Sequence, residues 1–310
     1  MHARDTLDVD VLPRFTAVYL RVAGDECAFV EAHTAHALPK LMAALDARHL
    51  RPEAVRWVVV THAHLDHAAG AGALLARCPN AQLLAHPRAA RHLVDPSKLV
   101  ASATAVYGAE RFAALYGRID PIPVERVRAL EDGARFPLGD AELQVFHTAG
   151  HAKHHFVVDD PALSTVYTGD TFGLVYPALQ RGARFAMATT SPTDFDANEA
   201  RRSIDRVLSL GRSAACLTHF GEVRDLDEIA AQLRRWIDRS EAWVASVRER
   251  GETDEAAHAR LASAMRAAIE EEARTLGLAF DERDMQLLTL DVDLNAKGLV
   301  VAARRSDRAT

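Results

Sequence analysis

The segment VVVTHAHLDH, residues 58–67, constrains the fold of this chain more than any other stretch. Its β-branched run reads as a buried strand, and a strand buried on both faces needs cover on each side. The strand ends at Thr61, and His62, His64, Asp66 and His67 follow at once. In an extended segment residues two apart point to the same side, so His62 and His64 converge. Asp66 and His67 open a helical stretch, which turns them toward a neighbouring point. Together the four can feed two adjacent ions. The zinc pattern H-E-x-x-H differs, because its histidines stand four apart on one helical face. Ala68, Ala69, Gly70, Ala71 and Gly72 come next. Each glycine costs about 1 kcal/mol in a helix, so two of them imply a close approach to the sheet.

Three further apolar runs end in the same way, with a threonine close to a potential ligand. They are VFHTAG before His151, VYTG before Asp170 and CLT before His219. Strands that deliver polar side chains at their C-terminal ends are the usual route by which α/β proteins build a site. Convergence of the four ends would gather five imidazoles and two carboxylates, donors suited to zinc, iron or manganese. Composition agrees: there are 15 histidines but three cysteines, Cys27, Cys78 and Cys216. These are too few and too scattered for a disulfide framework or a Cys-rich zinc site, and they read as small buried hydrophobes.

Strands are expected at 14–20 and 27–31 around a Gly24-Asp25 turn, then at 55–60, 81–85, 126–130, 134–138, 141–147, 163–168 and 214–218. Helical spacing marks 37–48, 66–77 and, with breaks at Gly108 and Gly117, 87–117. Asp196 and Glu199 have capping-box spacing before a helix that Gly211 stops. From 225 the texture changes to long amphipathic helices at 227–250 and from Thr253 toward Gly277. The tail 286–303 is apolar and fits helix or strand. The expected organisation is therefore a body over 1–224 and a helical region over 225–310. The charge of −6 argues against nucleic-acid partners. No run approaches the roughly 20 apolar residues of a membrane span, and the first residues carry no secretory pattern. A cytoplasmic protein with a small-molecule substrate and no membrane association is expected.

The His62–His67 cluster, TAGH ending at His151, TGD ending at Asp170 and THF at His219 resemble the metallo-β-lactamase superfamily over about residues 14–221. The resemblance implies an αββα sandwich with a C-terminal helical extension and two divalent metals, zinc first, with iron or manganese as alternatives. It implies that His62, His64 and His151 hold one metal, Asp66, His67 and His219 the other, and that Asp170 bridges them. The full H-x-H-x-D-H set is similar to the glyoxalase II, lactonase and RNase Z branches. True β-lactamases lack it, and the diiron flavoproteins would carry Glu at the position of His64. GHAKHH and AHPRAARHLVDPSKL look like a glyoxalase II-like subgroup, although the basic residues by which glyoxalase II holds glutathione have no match here.

The expected activity is hydrolysis of a small ester, thioester or lactone by a hydroxide between the two metals, with Asp66 orienting the nucleophile or relaying its proton. Rival readings are a small-molecule phosphodiesterase, a one-iron oxygenase of the persulfide dioxygenase kind and, last, a non-catalytic metal-binding module. Lys153, His154 and His155 follow a ligand and are candidates for the pocket entrance. Phe172, Tyr176 and Phe220 are candidates for its lining, Tyr176 as an oxyanion donor. His147 is expected to make a core hydrogen bond. The C-terminal helices would cover the pocket mouth or form a homodimer contact.

Overall fold

The computed structural model describes residues 2–10, 12–190 and 194–306. A first six-stranded sheet takes its strands in chain order: β1 (His2–Asp8), β2 (Ala17–Ala23), β3 (Glu26–Val30), β4 (Val55–Val59), β5 (Gln82–Ala85) and β6 (Val127–Ala129). Gly24, at φ +60°, makes the tight turn between β2 and β3. From β3 to β6 the strands are parallel, and parallel neighbours need crossover segments. Between β3 and β4 this is α1 (Leu38–Ala47), and between β4 and β5 the pair α2 (Leu65–Ala68) and α3 (Ala71–Arg77). The last crossover holds α4 (Pro87–Val94), α5 (Ser97–Tyr107) and α6 (Ala109–Tyr116).

Alternation along the strands sorts the first sheet's side chains into two cores. Val18, Leu20, Phe29, Val58 and Leu83 join Leu41, Leu45, Leu74 and Leu93 of the helices. Tyr19, Arg21 and Trp57 point the other way, to a second sheet. That sheet holds β7 (Arg135–Leu138), β8 (Ala141–His147), β9 (Phe156–Asp160), β10 (Thr165–Leu174), β11 (Ala214–His219) and β12 (Gly221–Val223), in reverse spatial order. Tyr19 donates to the Leu217 carbonyl and Trp57 Nε1 to that of Pro137, at 2.6 Å for the latter. Between the sheets Arg21 pairs with Asp160, both side chains fully buried. Such charges are tolerated inside because each satisfies the other.

The chain divides into two compact units. The first comprises Met1–His147, His154–Gly169 and Leu210–Arg224, and so contains most of both sheets. The second comprises Thr148–Lys153, Asp170–Ser209 and Asp225–Thr310. Its helices are α7 (Ala197–Ser209), α8 (Leu226–Arg250), α9 (Asp254–Thr275), α10 (Glu282–Leu287) and α11 (Thr289–Ser306). Asp196 caps α7 by accepting the Glu199 N–H at 3.0 Å. Two buried amides tie α8 and α11 to the 170–209 segment: Gln232 accepts from Ala186 N at 2.8 Å, and Asn295 from Thr190 N at 2.6 Å. No helix among the described residues is long and apolar enough to cross a membrane.

Several elements differ from the sequence reading. The apolar tail is helical, and α11 passes straight through Gly298. The helix expected over 66–77 breaks at Ala69-Gly70 into α2 and α3. β10 does not stop before Asp170 but continues four residues beyond it, so this carboxylate projects from within a strand.

Candidate metal centre

Beyond β4 the backbone leaves the sheet, held by the Phe156 N–H donated to Thr61 O at 3.0 Å. His64, with extended backbone, precedes the first turn of α2. His62 Nε2 lies 2.8 Å from His64 Nδ1, and the His62 and His67 ring centres are 4.0 Å apart. The expected convergence of these rings is therefore observed. His219, the last residue of β11, joins them from a remote part of the chain: the ligand atoms of Asp66, His67 and His219 all lie within 4.8 Å of one another. Asp66 Oδ2 is 3.4 Å from His219 Nε2 and 3.6 Å from His67 Nε2. His67 and His219 are buried, whereas the Asp66 side chain is 43% exposed.

The second unit holds the other two expected ligands as a pair, His151 Nε2 standing 3.3 Å from Asp170 Oδ2. His151 Nδ1 is 3.0 Å from Thr189 Oγ1, whose own hydrogen is directed to the Asp170 carbonyl at 3.2 Å. Since that hydroxyl has one proton, Nδ1 is the donor to Thr189, and Nε2 carries the lone pair. A small cavity of about 20 Å³, room for roughly one water, is lined by His151, Asp170, Thr189, Phe195 and Ser203.

The same tautomer recurs in the first unit. His67 Nδ1 donates to Glu31 Oε1 at 3.1 Å, and His219 Nδ1 to Phe15 O at 3.3 Å. In His67, His151 and His219 alike, Nδ1 is tied to an oxygen and Nε2 is turned to a carboxylate. Metal-binding imidazoles are oriented in this manner by outer oxygens. The donor set is imidazole and carboxylate, which fits borderline divalent ions. Thiols do not compete: burial pushes Cys27 and Cys216 up to about 12 and Cys78 to about 11, so all three stay protonated and buried.

Glu31 escaped the sequence reading. It follows β3 directly, is 1% exposed and adopts φ +73°. Its carboxylate accepts from Thr61 Oγ1 and, at 3.3 Å, from Thr218 Oγ1, besides holding His67. One side chain thus knits the ends of β3, β4 and β11 beneath the ligands. The same loop carries His33 at φ +52°, whose Nδ1 meets the Asp66 carbonyl at 3.0 Å. A Cβ on Gly70 would come within 2.6 Å of the carbonyls of Ala32 and Thr34. The close approach expected of these glycines is thus to the loop after β3, and at Gly72 to Asp120, and not to the sheet. The signal for Glu31 was an acidic residue ending the buried run CAFV.

The remaining candidates are distributed as follows. His154 Nδ1 accepts the Ala63 N–H at 3.3 Å, and its ring stacks 6.1 Å from that of His62. His155 is buried 4.9 Å from the His62 ring. Lys153 is exposed, with Nζ 3.6 Å from Asp194. Phe172 is buried, and Tyr176 gives its hydroxyl to Asp291 at 3.2 Å, so both sit as packing residues of the second unit. Phe220 is buried with the Arg14 guanidinium 5.7 Å above its ring.

His147 bonds the Leu130 carbonyl at 2.9 Å, and its ring centre lies 4.1 Å from that of His86, tilted by 39°; His86 caps α4. Burial, then the neighbouring imidazoles, pushes His86 from 6.5 down to about 3. The folded chain therefore refuses a proton that the unfolded chain accepts, and stability falls as pH drops from 6.5 toward 3. His86→Asn keeps the cap acceptor and removes the titration. The loss of stability between pH 7 and 5, measured by urea unfolding, is expected to shrink by about 1 kcal/mol per pH unit below 6.5; an unchanged loss would refute the assignment.

This geometry sets His and Asp groups that could hold metal ions into an αββα fold, and comparison with known proteins identifies the family. Residues 12–219 match the Metallo-beta-lactamase superfamily. The chain belongs to that superfamily. It is 27% identical over 173 residues to the metallo-beta-lactamase fold-containing protein ST1585 of Sulfurisphaera tokodaii, a match covering 54% of this chain and 61% of that protein. The chain thus spans about three-fifths of that relative's length. The crystal structure of ST1585, an archaeal superfamily protein, aligns with a TM-score of 0.67 at 18% identity, covering 96% of this chain and 98% of that one. A metallo-beta-lactamase family protein from Thermus thermophilus, TTHA1429, gives 0.65 at 18% identity, over 98% and 94%. These likenesses establish the αββα fold with its C-terminal helical part.

Proposed function

We propose that this chain is a two-metal hydrolase of the glyoxalase II-like branch, cytoplasmic, acting on a small ester, thioester or lactone. Asp66, His67 and His219 would hold one divalent ion and His62, His64 and His151 the other, with Asp170 shared and zinc the metal. The observation that carries this reading is the shared orientation of His67, His151 and His219, Nδ1 bound to an oxygen and Nε2 toward a carboxylate. Bound there, such ions supply an activated water at neutral pH and an electrophilic contact for the substrate oxygen. The chain's own part falls to Asp66, whose half-exposed carboxylate can orient that water and take its proton at Oδ1 or Oδ2. Glu31, Thr189 and the Phe15 carbonyl keep the imidazoles aimed. The net charge of −6 supports a small substrate over a polynucleotide.

Metal stoichiometry combined with a panel of thioesters, lactones, aryl esters and phosphodiesters tests the proposal. Two ions per chain are expected, with carbonyl-ester turnover lost on chelation and restored by zinc. Fewer than two would break the ligand assignment. Turnover of phosphodiesters alone would overturn the carbonyl chemistry, and one iron per chain with oxygen uptake would overturn hydrolysis.

A further inference from the structure

Helices α5 and α6 form an arm in which Phe112, on α6, is the one buried side chain among the described residues. The arm turns at Gly108, at φ +77°. Its two helices end on tyrosines, Tyr107 and Tyr116, both half-buried, with ring centres 5.8 Å apart and tilted by 58°. Phe112 backs Tyr116 at 5.5 Å. The arm ends against the loop that leads to α1: a Cβ on Gly117 would sit 3.3 Å from the His36 ring, and His33 of the same loop bonds the Asp66 backbone carbonyl at 3.0 Å. Tyr116 gives a hydrogen bond to Tyr107 and lies within electrostatic reach of the Asp66 carboxylate. Tilted aromatic faces with hydroxyls at one edge suit a ligand that pairs an apolar ring with a polar atom.

We propose that Tyr107 and Tyr116, backed by Phe112, form the acyl-selecting wall of this site, favouring an ester or thioester whose acyl group carries an aromatic ring. The inference rests on the hydrolase reading above and adds the substrate class to it. Zinc-loaded wild-type protein, Tyr116→Ala, Tyr107→Ala and Tyr116→Phe are compared on phenylacetyl and acetyl thioesters, and on phenyl and methyl 4-nitrophenyl phosphodiesters. Calorimetric titration with phenylacetate reads the wall without turnover.

Wild type should prefer the aromatic partner of each pair by about tenfold or more. Either alanine variant should bring that ratio close to one and weaken phenylacetate binding about tenfold, with metal content unchanged. Tyr116→Phe should keep the ratio and lower kcat/KM on both partners about three- to tenfold, the effect of one lost hydrogen bond. Retention of both the ratio and phenylacetate affinity in the two alanine variants would overturn the wall. If phosphodiesters alone turn over, with a phenyl preference that Tyr116→Ala abolishes, the carbonyl chemistry falls and the wall stands. If nothing turns over, phenylacetate affinity still decides.

Discussion

Replacing Glu31 with alanine is expected to cost about 2–4 kcal/mol of stability and to weaken metal binding about 10- to 100-fold. Its carboxylate is 1% exposed and accepts from the hydroxyls of Thr61 and Thr218 and from His67 Nδ1. Truncation leaves these buried donors without their acceptor. Unmade hydrogen bonds of buried groups carry most of such a penalty. The backbone at φ +73° stays strained, and the side chain that justified the strain is gone. The metal effect has a separate origin, because His67 loses the contact that fixes its tautomer. Glu31→Gln separates the two. An amide oxygen still accepts from the threonines, but the ring has lost its charged partner, so metal affinity should fall while most stability remains. Urea unfolding of metal-free protein and zinc titration read the two quantities independently. Full zinc affinity in Glu31→Ala would show that His67 is oriented by something else.

That residue also marks where the sequence stopped being readable. The ligands were legible because an apolar run leads into each group of them, and because four histidine or aspartate residues within six positions have few structural explanations. Glu31 also ends such a run, CAFV, but a single acid there looks the same whether it caps a turn or reaches under a metal ligand. What distinguishes it is contact with Thr218, 187 residues away, and no local pattern encodes that. β1 was missed because HARDTLD is polar and at best half-buried; its pairing with β2 and the Arg4 bonds to Thr165 and Glu222 supply what hydrophobicity does not. β9 was missed because FVVDD ends in two acids, which suggest a loop. Both are buried only because Arg212 and Arg21 neutralise them. Tyr107 and Tyr116 stand nine positions apart across a glycine turn, so their proximity belongs to the arm's geometry and not to a helical stripe. Local periodicity placed most of the strands and helices, whereas charges paired across the fold stayed hidden.

Asp66→Ala is expected to separate function from folding more sharply than any other change in this chain. Its carboxylate is 43% exposed, and the partners it faces, His67 and His219, have their Nδ1 atoms bonded elsewhere, to Glu31 and Phe15. The helical turn carrying it is fixed through its backbone, by His33 on the Asp66 carbonyl and by Ala32 N on that of His67 at 2.9 Å. Loss of the side chain therefore leaves these anchors intact, and stability of the metal-free protein should change by no more than about 0.5 kcal/mol, as for a surface substitution. Activity has no such reserve. In the proposed centre the same carboxylate would be a donor to one ion, beside His67, His219 and the shared Asp170, and the group that takes the water's proton, so kcat/KM should drop by about a thousandfold or more. Bound metal should fall from two ions per chain toward one. Asp66→Asn retains the shape and an oxygen donor but not the base; it should recover part of the metal content and little of the rate. A variant that keeps wild-type turnover with one ion would show that the His62 side of the centre works alone, and would remove Asp66 from the chemistry.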